Sequence, residues 1–336
     1  MSEPKPPSSL SPLLFEPIYK DYLWGSNRIA KVFHRKNTPK PCAESWEVSE
    51  RPEGMSRVES GPFQGMTFDA LLKELTPERL LGAVDHMPLL IKIIDAAKLL
   101  SVQVHPNEKS AQELHGEPKT EMWYVLGALP DAYVYAGLKE GVDAAACMAA
   151  LQVGDADAVL NRVAVEAGDV IYVPAGTVHA IGPGCLMLEV QQNSNTTYRL
   201  YDWDRVGPDG KARELHVEKG LQAIDSNATW SLSRVRAQKE RGGYAVEKLV
   251  QSPFFNIDKL TLHEANTFQS TGSFQLFFAE KGTVQIRAAR SAVTLKMGRT
   301  AFIPAGLESF TIEPEAKKSS GKSEPPAAEL VRICLP

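Results

Sequence analysis

The chain has 336 residues, 43% hydrophobic and 23% charged, with a formal net charge of −4. That length exceeds what one hydrophobic core usually holds, so two domains or a double-layered unit is expected, and the mildly acidic balance gives no electrostatic reason to expect nucleic acid. No apolar run approaches membrane-spanning length, "MSEPKPPSSLSP" lacks the apolar stretch of a signal peptide, and Cys42, Cys147, Cys185 and Cys334 form no C-x-x-C pair; free thiols in a reducing cytoplasm are the expectation.

In chain order, residues 1–12 are polar and proline-rich and predict a flexible arm. Short apolar runs broken by Gly and Pro follow from about 13 to 65. "TFDALLKEL" has apolar positions at helical spacing, with Thr67 as N-cap. "MPLLIKIIDAAKLLSVQVHP" reads as two buried strands around a turn near Asp95. "NEKSAQELHG" predicts a helix capped by Asn107 and stopped at Gly116. Strands return at "EMWYVLG" and "AYVYAGL", a helix at "GVDAAACMAAL", and strands again from Val163 to Val190. Residues 206–250 predict a charged, partly helical connection, and "EPEAKKSSGKSEPPAAE" a low-complexity surface loop before the last strand, "LVRICL". Turns at short intervals in a mainly β chain argue for a sandwich or barrel. A repeat doubles that unit: "GDVIYVPAGTVH" (168–179) aligns without gaps to "GRTAFIPAGLES" (298–309), with Ser309 where the first copy has His179. Two similar β-domains in tandem are expected.

The chemistry gathers in the first copy. In "SVQVHPN", Gln103 and His105 stand at i and i+2, on one face of a strand that Pro106 ends. Two polar groups on one strand face are either a hydrogen-bonded buried pair or ligands. The spacing Gly–x5–Pro–x–Gly–x2–His over 168–179 resembles the second signature of the cupin barrel, in which a tight turn aims the histidine into the barrel mouth. The partner hairpin then offers Gln103, His105 and Glu121. With His179 these supply two imidazole nitrogens and two oxygens, a set suited to a divalent metal, zinc first, with an open position for water or substrate. One carboxylate against a +2 ion leaves a net +1, which suits an oxygen-rich, anionic substrate.

The motifs "YLWGSNRIA", "ESWEVSERPEGMSRVESG", "LLIKIIDAAKLLSVQVHPNEKSA", "KTEMWYVL", "VPAGTVHAIG" and "QQNSNTTYRLYDWDR" are together similar to the type I mannose-6-phosphate isomerases, in their short bacterial form. The likeness runs from about 13 to 205 and more weakly to the end. It implies tandem cupin (jelly-roll β-barrel) domains with a few short helices: 13–205 as the catalytic region with the metal site, 251–336 as a degenerate cupin. It also implies interconversion of mannose 6-phosphate and fructose 6-phosphate with one zinc per chain. By resemblance the ligands fall on Gln103, His105, Glu121 and His179, the catalytic-pocket lysine on Lys119 and its arginine on Arg199. Such chemistry would pass through a cis-enediolate, with a sugar phosphate as partner rather than nucleic acid or membrane; monomer and dimer both stay open. Pro183 replaces the asparagine of the general cupin signature, and Ser309, with no carboxylate at the matching place in "FQLFFAEKG", implies a metal-free C-terminal barrel.

Taken singly these residues have ordinary readings. A lone histidine after a turn is usually a satisfied polar group, Gln103 could serve backbone groups, and Lys119 could be solvated beside Glu117. Arg199, between Tyr198 and Leu200, would be costly on a buried strand without an anionic partner. Trp24, Trp46 and Trp123 read as core or pocket wall, His115 as an exposed helix end, and His34, His86, His216 and His263 carry no assigned role. Ser101, Lys98 and Arg205 are equal candidates for holding the phosphate. An iron-dependent cupin oxygenase and a non-catalytic sugar-sensing cupin are the competing classes.

Overall fold

The computed structural model describes residues 10–207, 210–234, 238–288, 291–316, 318–319, 322–323 and 327–336. The chain is mainly β and forms two compact units, one from 19–45 and 89–234, the other from 10–18, 46–88 and the chain from 238 onward.

In the first unit the strands Ser231–Ser233, Val170–Val173, Glu121–Ala128, Cys185–Gln192 and Leu89–Ala96 neighbour one another in that order in a large sheet, each pair antiparallel. A five-stranded sheet runs through Leu160–Ala164, Tyr133–Leu138, His179–Ile181, Val102–Val104 and Tyr198–Tyr201. Strand alternation decides what lies between them. Ile94, Trp123, Val125, Ile171 and Met187 of the large sheet pack with Val134, Ala136 and Ile181 of the small one. Val102, Val104, Ala180 and Leu200 point the other way, under a layer of helices that contributes Leu114, Cys147, Leu151 and Ala223. Each fully buried Val or Leu of this kind contributes about 1.5–3 kcal/mol. Gln103, one residue from Val102 and Val104, therefore faces the interior.

The helices begin where their caps dictate. Asn107 accepts from the Ser110 N–H at 2.9 Å while the Ser110 hydroxyl accepts from the Asn107 N–H at 3.0 Å, a reciprocal capping box at the start of Glu108–Leu114. His115, not Gly116, takes the left-handed conformation that ends this helix. Gly116 is needed for space instead, since a Cβ there would stand 2.6 Å from the Tyr198 hydroxyl. Thr67 precedes the helix Phe68–Leu75 as predicted, but its hydroxyl donates to the Asp69 carboxylate, 2.5 Å away, rather than capping a backbone group.

The two expected strands form, but the turn between them comes after Ala96 rather than near Asp95. Leu89–Ala96 and Val102–Val104 belong to different sheets, and Asp95 lies within the first strand, wholly buried. Its carboxylate accepts from the Ser26 hydroxyl (2.6 Å), the Arg28 N–H (2.7 Å) and Arg28 Nε (2.8 Å). Arg28 reaches on to the carbonyls of Gly184 and Cys185, so one ion pair ties three segments. The partly helical stretch from 206 holds the helix Val217–Ala223, then strands Ser231–Ser233, Gln238–Arg241 and Tyr244–Gln251.

The second unit repeats the first. Its large sheet runs Leu13–Leu14, Thr300–Ile303, Gln275–Lys281, Ala328–Cys334, Asn256–Leu262, Tyr244–Gln251 and Gln238–Arg241; its small one runs Asn266–Gln269, Ser309–Pro314, Thr283–Ala288 and Ser291–Lys296. Register carries the correspondence to single residues. Val173 pairs with Glu121 as Ile303 pairs with Gln275, and His179 pairs with Gln103 as Ser309 pairs with Gln269. No imidazole or carboxylate stands at any of those second-copy positions, and Phe268, Phe277 and Phe310 lie in the apolar cluster of this barrel. Residues 1–9 of the predicted arm lie outside the described residues, as do 317, 320–321 and 324–326 of the predicted low-complexity loop; Ser11 and Pro12, which end the arm, are buried. No helix among the described residues is long and apolar enough to cross a membrane.

Candidate active site

Register builds the site. Across three neighbouring strands His179 pairs with Gln103 and Gln103 pairs with Arg199, so the three side chains share a level and a face. His105 follows one residue after its strand, and Glu121 opens the first strand residue of the facing sheet. His105, Glu121 and His179, each about 1% exposed, bring one ligand atom apiece within 4.8 Å of one another. Glu121 Oε2 lies 3.5 Å from His105 Nε2, and Oε1 lies 3.2 Å from His179 Nε2.

Both imidazoles are held by their far nitrogen. His105 Nδ1 contacts the Thr196 carbonyl at 2.9 Å and His179 Nδ1 the Thr177 carbonyl at 2.8 Å. A carbonyl can only accept, so each Nδ1 carries the hydrogen and each Nε2 turns its lone pair inward. Burial, then the positive charge of Lys119, pushes His105 down to about 3, and burial also lowers His179. Both rings are neutral near pH 7, the form that ligates metal. Burial works to raise the Glu121 carboxyl, but Lys119, His105 and His179 hold it well below the usual carboxylate range. Apart from the Lys119 ammonium at Oε2, neither Glu121 oxygen has a hydrogen-bond donor among the described residues. A buried, ionised carboxylate between two inward lone pairs fits a divalent cation.

Gln103 Nε2 lies 3.2 Å from His179 Nε2; a half-turn of the amide would present its oxygen to the same point. Lys119, expected here from sequence, is buried, with Nζ 3.1 Å from His105 Nε2 and 2.9 Å from Glu121 Oε2. The second contact is an ion pair that meets one of the two Glu121 oxygens. Residues 117–120 are fastened to the "QQNSNT" segment. The Thr120 N–H donates to Gln192 Oε1 at 2.7 Å, the Ser194 hydroxyl to the Glu117 carbonyl at 3.1 Å, and the Asn195 N–H to the Glu117 carboxylate at 3.0 Å. That lacing fixes Lys119 and Glu121 against His105.

Trp123, read as core or pocket wall, leads to an ion pair that sequence reasoning missed. Trp123 packs edge-on to the His179 ring at 5.5 Å and donates its indole N–H to Glu189 Oε1 at 3.1 Å. Glu189 Oε2 pairs with Lys92 at 3.0 Å, and both are buried. The signal was one lysine and one glutamate inside the otherwise apolar runs "LLIKII" and "CLMLEV", directly opposite each other in register.

Arg199 donates through Nη1 to the Glu214 carbonyl (2.7 Å), while its buried Nε finds no acceptor among the described residues. Burial, with Arg213 next, lowers its pKa. The charges of Arg213, Asp202 and Arg205 act on Arg199, and those three residues line a cavity of about 490 Å³ together with Tyr22, Trp24 and Lys98. Asp202 anchors both Arg205 and Arg213. Burial would raise its carboxyl, but the bonds from Arg213 and Arg205 lower it. With Asp21 also on the wall, three cations against two carboxylates leave a net +1, right for an anion. Of the three phosphate candidates, Lys98 and Arg205 line this cavity and Ser101 is buried. Trp24 is a cavity wall, and His115 is exposed as expected.

The fold and this cluster define a two-barrel cupin with a metal-ready site in its first barrel. Residues 13–124 match the model of the phosphomannose isomerase type I catalytic domain, and 245–318 that of the mannose-6-phosphate isomerase cupin domain. The chain is 34% identical over 306 residues to mannose-6-phosphate isomerase ManA of Bacillus subtilis, covering 90% of this chain and 96% of that one. It is 34% identical over 309 residues to the mannose-6-phosphate isomerase of Streptococcus mutans, covering 90% and 95%. The crystal structure of a Bacillus subtilis mannose 6-phosphate isomerase superposes with a TM-score of 0.85 at 29% identity, over 96% of this chain and 99% of that one. The chain belongs to the type I phosphomannose isomerase family.

Proposed function

We propose that the chain is a zinc-dependent aldose–ketose isomerase that interconverts mannose 6-phosphate and fructose 6-phosphate through a cis-enediolate, in the cytoplasm. The observation that carries this reading is the buried His105–Glu121–His179 cluster, whose inward Nε2 lone pairs flank the Glu121 carboxylate, in a chain of this family. Gln103, His105, Glu121 and His179 would hold the ion. Bound there, zinc would supply Lewis-acid polarisation of the sugar oxygens.

The rest falls to the chain's own groups. Isomerisation carries one proton between C2 and C1 and one between O2 and O1. Lys119 handles the carbon-bound proton as it moves between C2 and C1. Arg199, with a spare Nε–H, donates to the ring oxygen at opening and then to the oxygen that gains charge. Arg205, Arg213 and Lys98 hold the phosphate in the cavity they line. A buried site excludes water that would otherwise compete for the enediolate.

Metal analysis of the purified protein, with a linked assay for fructose 6-phosphate before and after chelation, tests this. About one zinc per chain, activity lost on chelation and activity regained with zinc are expected. Undiminished turnover of mannose 6-phosphate by metal-free protein would overturn it.

A further inference from the structure

His216 had no role in the sequence, and its surroundings give it one. Tyr198–Tyr201 is the edge strand of its sheet: one side pairs with Val102–Val104, and the other has no strand beside it among the described residues. On that open side Arg199 exposes a backbone N–H and C=O, which a neighbouring strand would normally satisfy with one carbonyl and one N–H. Here a single residue does both. The Arg199 N–H donates to His216 Nδ1 at 3.2 Å, and the Arg199 carbonyl accepts from the His216 N–H at 2.7 Å. Two residues earlier in the same segment, the Glu214 carbonyl takes the Arg199 guanidinium.

We propose that His216 is a positioning residue that acts as a surrogate strand partner for Arg199, its imidazole Nδ1 standing where a backbone carbonyl would be. The inference rests on the role proposed above for Arg199. His216 precedes the helix Val217–Ala223 without capping it through its side chain, so the ring is committed to Arg199. The arrangement works only with Nδ1 free of hydrogen. Glu214, whose carboxylate lies 3.9 Å from Nε2, favours the hydrogen on that far nitrogen; the other neighbours are the Tyr198 ring at 6.3 Å and Lys219, whose ammonium lies over that ring. Gln103 sits directly across the strand pair from Arg199, so a shift of residue 199 displaces the guanidinium relative to the metal cluster.

Side-chain geometry separates this role from mere packing. An asparagine oxygen falls near the place of Nδ1, whereas a glutamine oxygen falls near the place of Nε2. His216→Ala and His216→Gln should lower kcat about tenfold or more at unchanged zinc content, because small misplacements of a charge-stabilising group cost one to two orders of magnitude. His216→Asn should return kcat to within about threefold of wild type. Amide hydrogen exchange read independently of turnover should follow the same order: faster at Arg199 in the alanine and glutamine variants, slow in wild type and His216→Asn. Asparagine no better than alanine in either readout, or wild-type kcat in His216→Ala, would overturn the proposal. If wild-type protein fails to turn over mannose 6-phosphate, the functional reading falls, and the exchange measurements still decide the clamp.

Discussion

Lys119 and Glu121 form an ion pair at 2.9 Å with 5% and 1% of their surfaces exposed. In metal-free protein, Glu121→Gln leaves an ammonium buried among neutral imidazoles. Removing one partner of such a pair costs about 3–5 kcal/mol, because the remaining charge keeps its desolvation penalty and loses its attraction. At roughly 2–4 °C per kcal/mol for a domain of 150–250 residues, the thermal midpoint should drop by about 6–20 °C. The double variant Lys119→Met/Glu121→Gln has no uncompensated charge and should unfold within about 1 kcal/mol of wild type, since neutral replacement of a buried pair is often close to neutral in stability. Thermal and urea unfolding of chelated wild type, both single variants and the double variant complete the cycle. A Glu121→Gln loss below about 1 kcal/mol, or a double variant as unstable as the two singles added, would refute the idea that the pair is electrostatically coupled.

His179→Ala should remove metal and isomerase activity together while Ser309→Ala changes neither; metal analysis beside the activity assay checks both. Arg199→Lys should lose about a hundredfold in kcat with zinc retained, since an ammonium cannot reproduce a guanidinium's fork; a rise in KM alone would make Arg199 only a phosphate clamp. In chelated protein, His105 titrates near 3 when folded and near the ordinary value of about 6.5 when unfolded. Between those values the unfolded chain binds the proton and the native chain does not, so stability present above about pH 6.5 falls as pH drops toward about 3. Urea midpoints measured across that window should decline less steeply in His105→Gln, and identical slopes would contradict the assignment.

Much of this was legible because strand alternation and the repeat are local properties of sequence. Gln103 and His105 could be put on one face, and the aligned "PAG" segments placed His179 opposite Ser309. The turn near Asp95 was placed too early, and nothing local says that the two successive strands join different sheets; Arg28 and Asp95, distant in sequence, pair at that crossing. Lys92 and Glu189 went unnoticed since pairing across sheet strands is non-local, although a charge inside an apolar run was visible. His216 was illegible for a different reason: its partner is a backbone group, and backbone groups leave no trace in residue type.

The phenylalanine-filled second barrel has a consequence for reversibility. Placing a histidine at Ser309 would not restore a site, because Gln275 would also have to become a carboxylate and Gln269 would have to work beside it. Room would further have to be opened among Phe268, Phe277 and Phe310. Trimming one such ring to alanine costs about 3–5 kcal/mol, while a carboxylate introduced without an ion is an unpaired buried charge. Every single step back thus runs uphill before any ligand could be bound. The first barrel can lose its chemistry by one substitution; the second has no comparably short route to gaining it, and its loss works as a ratchet.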